Sequence, residues 1–341
     1  MKKLAYSVII LSGILALLIL GKSIIIPFVY GLVLWFLGRY FKSLAYTIPF
    51  LKKYFPSWLV SSVIFILVLI TTSLISGIIS LNIDSLIKSY STYQSNIDGI
   101  VERINEFLKI DIYQNLNKQL KDFEFSSLLQ NIANSISEIF GDIVMVLLYA
   151  MFIISEETSF TNKLRKIFNK TEEFEQVTAI LNKINTSISD YIGLKTLVSL
   201  LTGAVGYIFL ALMNVDAPFF WALLMFFLNY IPTIGSLVAT IFPAFFSLVQ
   251  FGEFMPFLII LLGLGILEWL IGNVIEPKIM GNSLNISPLV TIVALVVWGQ
   301  IWGITGMLLS VPITVTMIIV FSQFRSTEPL AILLSENGEL E

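Results

Sequence analysis

The chain has 341 residues, of which 57% are apolar and only 13% are charged, and its formal net charge is −3. Soluble proteins carry about a quarter charged residues, so this composition indicates a lipid-facing surface, and the small negative charge argues against a nucleic-acid-binding protein. Cysteine and histidine are both absent, which excludes disulfides, cysteine nucleophiles, histidine bases and the usual zinc ligands, and we expect no metal or other cofactor.

Apolar runs that could cross a bilayer recur along the whole chain. A membrane helix needs about 20 mostly apolar residues. The candidate spans are Leu4–Leu20, Ile24–Phe41, Trp58–Ser80, Ile136–Ile154, Leu194–Met213 and Phe254–Ile271. The first of them is interpreted as a membrane helix rather than a signal peptide, because no small-x-small cleavage site closes it. Two further apolar stretches, Ala217–Gly252 and Pro288–Phe324, are too long for one span each.

The distribution of Lys and Arg predicts the orientation. Basic clusters lie within residues 2–3, 39–53 and 163–170, and all three fall on one side if the first four spans alternate. Short cytoplasmic loops are rich in Lys and Arg, so we expect both termini in the cytoplasm of a multi-pass plasma-membrane protein. The predicted division is 1–80 for N-terminal membrane helices, 81–135 for an extracytoplasmic helical insert, 136–155 for a membrane helix, 156–193 for cytoplasmic amphipathic helices, 194–324 for a C-terminal transport core and 325–341 for a cytoplasmic tail.

The insert has a heptad pattern of apolar residues. Its seam consists of Leu86, Tyr90, Tyr93, Ile97, Ile100, Ile104 and Phe107. Spacings that alternate between four and three residues predict a helix that packs against a partner helix. The partner is either another copy of the chain, in an oligomerisation coil, or a second helix of the same insert in an antiparallel hairpin.

Both long apolar stretches are interrupted in the middle. Pro232 and Gly235 interrupt the first stretch, and the glycine-rich run Gly299–Gly306 interrupts the second. A proline inside a helix removes a hydrogen bond and clashes with the preceding turn, and backbone groups freed in this way must face protein or a watery cavity. We expect either two re-entrant hairpins whose tips approach from opposite faces or four short spans.

Paired interruptions of this kind point to the binding site of a transporter. Half-helix N-termini at such tips offer free N–H donors and partial positive charge. The residues predicted to frame the substrate path are Asn229, Pro232, Thr233, Gly235, Ser236, Gln300, Gly303 and Thr305. Their neutral polar groups suit a polar solute that is uncharged or weakly anionic. The alternative role for each polar side chain is to join neighbouring helices by hydrogen bonds.

Glu268 is the carboxylate placed deepest in a predicted span. Intramembrane carboxylates are costly and often serve as proton or cation sites, so Glu268 is the candidate for ion coupling, or else an interfacial residue near a helix end. The nearby Glu276, Pro277 and Lys278 are expected to form a polar helix stop at the membrane edge.

Several of these motifs resemble a known family. The run Asn229–Ser236 resembles the signature N-x-I-P-x-I-G-S, and Glu276–Gly281 together with Trp298–Pro312 resembles a C-terminal signature of the AI-2E transporter family. The structural motif carried over in this way comprises Glu276, Pro277, Lys278 and Gly281. The resemblance implies an all-α polytopic membrane protein of about eight segments, from bacteria or archaea, that forms homo-oligomers.

The expected function is secondary transport rather than catalysis. The chain is predicted to export a small polar solute across the lipid bilayer, and the resemblance makes the quorum-sensing signal autoinducer-2 the candidate solute. No nucleotide-binding motif of the type G-x-x-x-x-G-K-[ST] is present, so we expect gradient-driven or passive transport. One alternative is a Na+(Li+)/H+ antiporter that uses Glu268, with a monovalent cation or proton as substrate. Another is a non-transporting membrane scaffold or sporulation factor that acts through the insert.

Overall fold

The computed structural model describes residues 2–56, 89–108, 143–168, 170–280 and 285–340, together with parts of 59–86. Within these ranges the regular secondary structure is helical and contains no β-strand. The helices are α1 (Lys2–Leu20), α2 (Lys22–Ala45), α3 (Pro49–Tyr54), α4 (Tyr90–Leu108), α5 (Ile143–Ile167), α6 (Thr171–Leu212), α7 (Pro218–Leu228), α8 (Ile234–Phe251), α9 (Phe254–Leu270), α10 (Glu276–Met280), α11 (Pro288–Trp302), α12 (Ile304–Phe321) and α13 (Glu328–Leu334).

Five of the described helices are long and apolar enough to cross a membrane, namely α2, α6, α8, α9 with its continuation to Met280, and α12. The bent helix α5 raises this number to six if it is counted as one span. On α9, Ile260 and Leu264 are fully buried, whereas Leu262 and Ile266 are 62% and 59% exposed. An apolar outer face of this kind is stable in lipid rather than in water. The predicted all-α polytopic membrane fold is confirmed.

Helix α6 is longer than the sequence suggested. The amphipathic helices predicted within 156–193 were expected to lead into the span from Leu194, and residues 171–212 form one helix of 42 residues. No proline occurs within it, so nothing in the backbone interrupts the helical hydrogen bonds. Its length is about 63 Å, roughly twice the thickness of a hydrocarbon core. Part of α6 therefore extends beyond the hydrocarbon layer.

The helix that begins at Phe254 also continues past its predicted stop. A π-helical turn over Ile271–Ile275 joins α9 to α10, and Pro277 is the second residue of α10. A π turn widens the helix by one residue and changes the local hydrogen-bond pattern, which accommodates the missing N–H of the proline. The polar residues Glu276, Pro277 and Lys278 thus lie on a helix that ends at Met280.

The chain forms two compact units, and the first consists of residues 1–66, 142–195 and 280–341. In this unit α2 packs against α5, and α11 and α12 form a hairpin. A Cβ atom at Gly31 would lie 2.8 Å from Cβ of Tyr149, so the contact between α2 and α5 requires glycine there. Residues of the buried core include Phe36, Ile188, Ile192, Val315 and Ile319.

The second unit consists of residues 67–141 and 196–279. Its core joins the C-terminal half of α6 to α7, α8 and α9, through residues such as Leu210, Phe220, Trp221, Phe246 and Leu264. Leu86 and Tyr93 from the predicted heptad seam are 1% and 2% exposed and belong to the same core. The described part of the insert therefore packs on the membrane helices of its own unit. The predicted second helix of the insert lies outside the described residues.

The predicted interruption of the first long stretch is confirmed, because α7 ends at Leu228 and α8 begins at Ile234. A Cβ atom on Gly235 would lie 1.8 Å from the carbonyl oxygen of Leu228. The end of α7 therefore approaches the first turn of α8 at a distance that only glycine permits. We call α7 and α8 with their connection the first hairpin.

The interruption of the second stretch is confirmed as well, and it is shorter. Helices α11 and α12 are separated by Gly303 alone, with φ of 62° and ψ of −139°, a conformation that essentially only glycine adopts. A Cβ atom on Gly306 would lie 1.8 Å from the carbonyl oxygen of Trp298. Each hairpin thus places a glycine of its second helix against a carbonyl of its first helix. We call α11 and α12 the second hairpin.

The close approach at Gly235 predicts a loss of stability on adding a single methyl group. Gly235→Ala should lower the free energy of unfolding by about 1–3 kcal/mol, because the helices must separate to admit the Cβ atom. The measurement is thermal unfolding in detergent, monitored as the fraction of the protein that stays monodisperse after heating. Gly272→Ala is the matched control, since a Cβ atom at Gly272 would meet no atom within 4 Å. Equal melting temperatures for the two variants would contradict the packing described.

Candidate functional site

The break of the first hairpin carries a buried amide. The Nδ2 atom of Asn229 donates a hydrogen bond to the Oγ atom of Ser199 on α6, at 3.1 Å. Asn229 is 8% exposed and Ser199 is fully buried. An amide buried among apolar side chains requires such partners, because an unmade hydrogen bond there is costly. The predicted path residue Asn229 is therefore held in place by α6.

A stripe of hydroxyl side chains on α6 faces this break. The Oγ1 atom of Thr196 and the hydroxyl of Tyr230 share a hydrogen bond of 2.7 Å. Thr202, six residues beyond Thr196, is buried, and its hydroxyl donates to the carbonyl oxygen of Val198 on the same helix. The sequence analysis did not assign Thr196, Ser199 or Thr202 to the substrate path. The available signal was the three-residue spacing of Thr196, Ser199 and Thr202 within an otherwise apolar helix.

The backbone at Thr233 is strained. Its φ is 61° and its ψ is −53°, and the N–H of Ile234 donates to the carbonyl oxygen of Pro232 at 2.6 Å. These values describe the rare γ-turn with positive φ, which a β-branched residue seldom adopts. Such strain costs about 1–3 kcal/mol and occurs most often at functional sites. Ser236 stabilises the turn, since its Oγ atom donates to the carbonyl oxygen of Thr233 at 3.1 Å.

The break of the second hairpin is held by aromatic side chains of the first unit. The hydroxyl of Tyr30 on α2 donates to Oγ1 of Thr305 at 3.1 Å, and Nε1 of Trp302 donates to the carbonyl oxygen of Leu18 at 3.0 Å. Gln300 and Gly303 are exposed. Because the residue that caps α12 is a glycine, no side chain of the cap can occupy the N–H groups of the first turn.

The predicted path residues thus form two groups. Asn229, Pro232, Thr233, Gly235 and Ser236 lie together at the break in the second unit. The other group, at the break in the first unit, consists of Gln300, Gly303 and Thr305. That the two groups face each other across one path stays a prediction.

Glu268 lies on the buried face of α9. It is 7% exposed and continues the stripe of Ile260 and Leu264 at four-residue spacing. A Cβ atom at Gly265 would lie 3.9 Å from Cγ2 of Thr240 on α8. Helices α8 and α9 are connected by a short turn and run antiparallel, so Glu268, one turn beyond Gly265, lies level with the start of α8. Measured along the axis of α8, the carboxylate is therefore close to the position of the first break.

The predicted structural motif is only partly described. Glu276 is half-buried, Pro277 and Lys278 are exposed on α10, and Gly281 lies outside the described residues. None of the three described residues lies at either break. Their role in the family motif stays a prediction.

A large cavity in the first unit differs from both breaks in chemistry. It has a volume of about 440 Å³ and is formed by α2, α6 and α12. Among its lining residues, Thr316 offers a hydroxyl group that already donates to the carbonyl oxygen of Pro312 at 2.8 Å. The other lining side chains are apolar, such as Val33, Ile188 and Met317. A polar solute would find no partners there, so the breaks are the better candidates for a polar site.

Comparison with known proteins agrees with the family resemblance of the sequence motifs. The model of the family described as "AI-2E family transporter" matches residues 8–326. The chain is 30% identical to the AI-2 transport protein TqsA of Escherichia coli (strain K12), over 96% of this chain and 95% of that protein. It is 35% identical to a protein of Borreliella burgdorferi that also bears a transport-protein name, over 76% of this chain and 72% of the relative. A further such protein, from Haemophilus influenzae, is 27% identical over 98% of this chain and 95% of its own length.

The matched region includes both broken hairpins, the stripe on α6 and Glu268. Relatives with transport-protein names extend over nearly the whole chain. The chain therefore belongs to the AI-2E family of transporters and is a multi-pass membrane protein of that family.

Proposed function

We propose that the protein is a secondary transporter that exports a small polar solute, uncharged or weakly anionic, and that autoinducer-2 is the first solute to test. The observation that carries this proposal is the first break, where a strained turn, a buried amide and a hydroxyl stripe come together. The path is lined by Asn229, Pro232, Thr233, Gly235 and Ser236 at the first break, with Gln300, Gly303 and Thr305 as the second group.

The neutral chemistry of the first break supports a neutral solute. The buried amide of Asn229 and the hydroxyls of Ser199 and Thr196 donate and accept hydrogen bonds without carrying charge. A solute rich in hydroxyl or carbonyl groups can exchange hydrogen bonds with such side chains at little cost. A fully charged solute would need a compensating charge, since burial of an isolated ion is expensive. The relative TqsA, an AI-2 transport protein, supports the choice of autoinducer-2 for the first assay.

Removal of the buried amide tests the path. Asn229→Leu keeps the approximate volume of the side chain but removes its hydrogen-bonding groups, and it should lower the export rate about tenfold, equivalent to about 1.4 kcal/mol. The measurement is efflux of autoinducer-2 from liposomes that contain the purified protein, with and without an imposed ion gradient. Asn273→Leu is the control, because Asn273 is exposed on the π turn and donates to the carbonyl oxygen of Trp269. Equal efflux by both variants, at equal insertion, would contradict the proposed path.

A cation/proton antiporter is the second candidate, favoured by the burial of Glu268 level with the first break. A buried carboxylate can carry a proton in one direction and a monovalent cation in the other. The hydroxyl side chains of Ser236 and Thr240 lie on the facing helix and offer oxygen atoms of the kind that such a cation prefers. In this proposal, the protonation of Glu268 on α9 is coupled to cation binding at the break that precedes α8.

Replacement of this carboxylate by an amide distinguishes the solute exporter from the antiporter. Glu268→Gln should abolish sodium- or lithium-driven proton exchange in liposomes, measured with a pH-sensitive dye inside them, while the protein still inserts. Glu253→Gln is the matched control, because Glu253 is exposed at the start of the same helix. Cation exchange that persists in Glu268→Gln rules out the antiporter in this form. Autoinducer-2 efflux that survives the substitution supports the leading proposal.

A further inference from the structure

The first hairpin is closed at its base, the end opposite the break. We define this base as Asn214–Ala217 together with Val249–Gly252. The backbone N–H of Asp216 donates to Oε1 of Gln250 at 2.8 Å, and Nε2 of Gln250 donates to the carbonyl oxygen of Asn214 at 2.8 Å. One side chain therefore joins both ends of the hairpin.

Helix α4 of the insert lies across this base. The hydroxyl of Tyr93 donates to Oδ2 of Asp216 at 2.6 Å, on one end of the hairpin. On the other end, Nδ2 of Asn96 donates to the carbonyl oxygens of Val249 and Gln250, at 3.1 and 2.7 Å. The guanidinium of Arg103 donates to the carbonyl oxygen of Gly252 at 3.4 Å. Residues 93, 96 and 103 share one helical face, so α4 contacts both ends of the hairpin at once.

We propose that α4 is a strap across the base of the first hairpin, which must release the base during each cycle of the proposed transport. This inference rests on the proposed function. While the strap is attached, the ends of α7 and α8 cannot shift relative to each other, because Tyr93 holds one end and Asn96 holds the other. A hairpin that lines a solute path has to move for the site to open on the side of the insert. Tyr93 and Asn96 are thus positioning residues for the hairpin.

The chemistry of the contacts suits repeated release. Besides the buried ring of Tyr93, the described contacts of the strap with the base are hydrogen bonds from polar side chains, and such bonds exchange with water when the base is exposed. The ring of Tyr93 packs edge-on against Phe246, with centroids 5.5 Å apart, so it returns to a defined place. Burial raises the pKa of Tyr93, and the hydrogen bond to the Asp216 carboxylate raises it further. The hydroxyl therefore keeps its proton and remains a donor at physiological pH.

A disulfide across the strap tests whether release is required. A Cβ atom on Gly252 would lie 3.4 Å from Cβ of Asn96, close to the spacing of about 3.5–4.5 Å found in disulfides. The φ of 66° at Gly252 makes cysteine there strained, and the single variant Gly252→Cys carries the same strain. The chain contains no cysteine, so the double variant Asn96→Cys/Gly252→Cys has no competing thiol. Oxidation should reduce solute efflux from liposomes at least tenfold, and reduction should restore it. The two single variants, treated with the same oxidant, are the controls. Oxidised protein that is fully cross-linked by mass and still transports at the reduced rate would overturn the proposal.

A second measurement does not depend on transport. Asn96 is half-buried in the attached state, so in the single variant Asn96→Cys a membrane-impermeant maleimide should label the thiol slowly while the strap is attached and faster when it is released. Adding Tyr93→Phe, which removes the hydroxyl that donates to Asp216, should raise the labelling rate at least about tenfold, the effect expected of a hydrogen bond to a carboxylate. Tyr207→Phe is the control, since Tyr207 is 43% exposed on α6 of the same unit.

The two measurements distinguish the failure of each proposal. Labelling that is no faster with Tyr93→Phe than with Tyr207→Phe means that the strap is a permanent brace, and the inference fails. Labelling that accelerates as expected, in protein that moves neither autoinducer-2 nor cations, supports the release of the strap and overturns the proposed function instead.

Discussion

Everything in this fold depends on how an interrupted backbone is accommodated among membrane helices. The hydrocarbon layer offers no water to satisfy freed N–H and C=O groups, so a break must be short and covered by protein. Gly235 and Gly306 meet this requirement in the same way, since a Cβ atom on either would lie 1.8 Å from a carbonyl oxygen of the preceding helix. Close approach keeps the interruption to a few residues in the first hairpin and to Gly303 alone in the second. Few backbone groups therefore need outside partners.

The same constraint explains the chemistry at the first break. Since a charge is costly within a membrane, the polar side chains at this break carry amide and hydroxyl groups. Asn229 bonds to Ser199, and the hydroxyl of Ser236 donates to the backbone carbonyl oxygen of Thr233. Among the described residues, Glu268 and Lys195 are charged and buried, with 7% and 5% exposure. The position of Glu268 on the buried stripe of α9 keeps its carboxylate away from lipid. Neutral groups that satisfy the fold can also bind a solute, because a hydrogen bond to protein and one to a solute hydroxyl are nearly equivalent. Structure and proposed transport thus use the same side chains.

The sequence predicted the parts of the fold that depend on local chemistry. Pro232 and the glycines marked both breaks, and the apolar composition indicated the membrane. The continuation of the helix through Pro277 was not predicted, because a proline usually ends a helix and the π turn that precedes it has no sequence signature. Contacts between residues distant in sequence were also not predictable. Tyr93 and Asp216 are 123 positions apart, and a heptad seam indicates that a partner exists without identifying it. Here part of that seam packs on the membrane helices of the same unit.

Helix α8 connects the base of the first hairpin to its break. It has 18 residues and a length of about 27 Å, and its last turn receives the hydrogen bonds of Asn96 while its first turn follows the strained residue Thr233. In the proposed cycle, movement at the base would reach the break through α8, which contains Pro243 and can bend there. Hinges are found where a few residues at the end of an element absorb the change in φ and ψ. Thr233 already occupies a sparsely populated conformation, and relief of its strain would offset part of the cost of moving the hairpin. In the proposed cycle, the insert and the polar site, although far apart in sequence, would in this way be coupled through one helix.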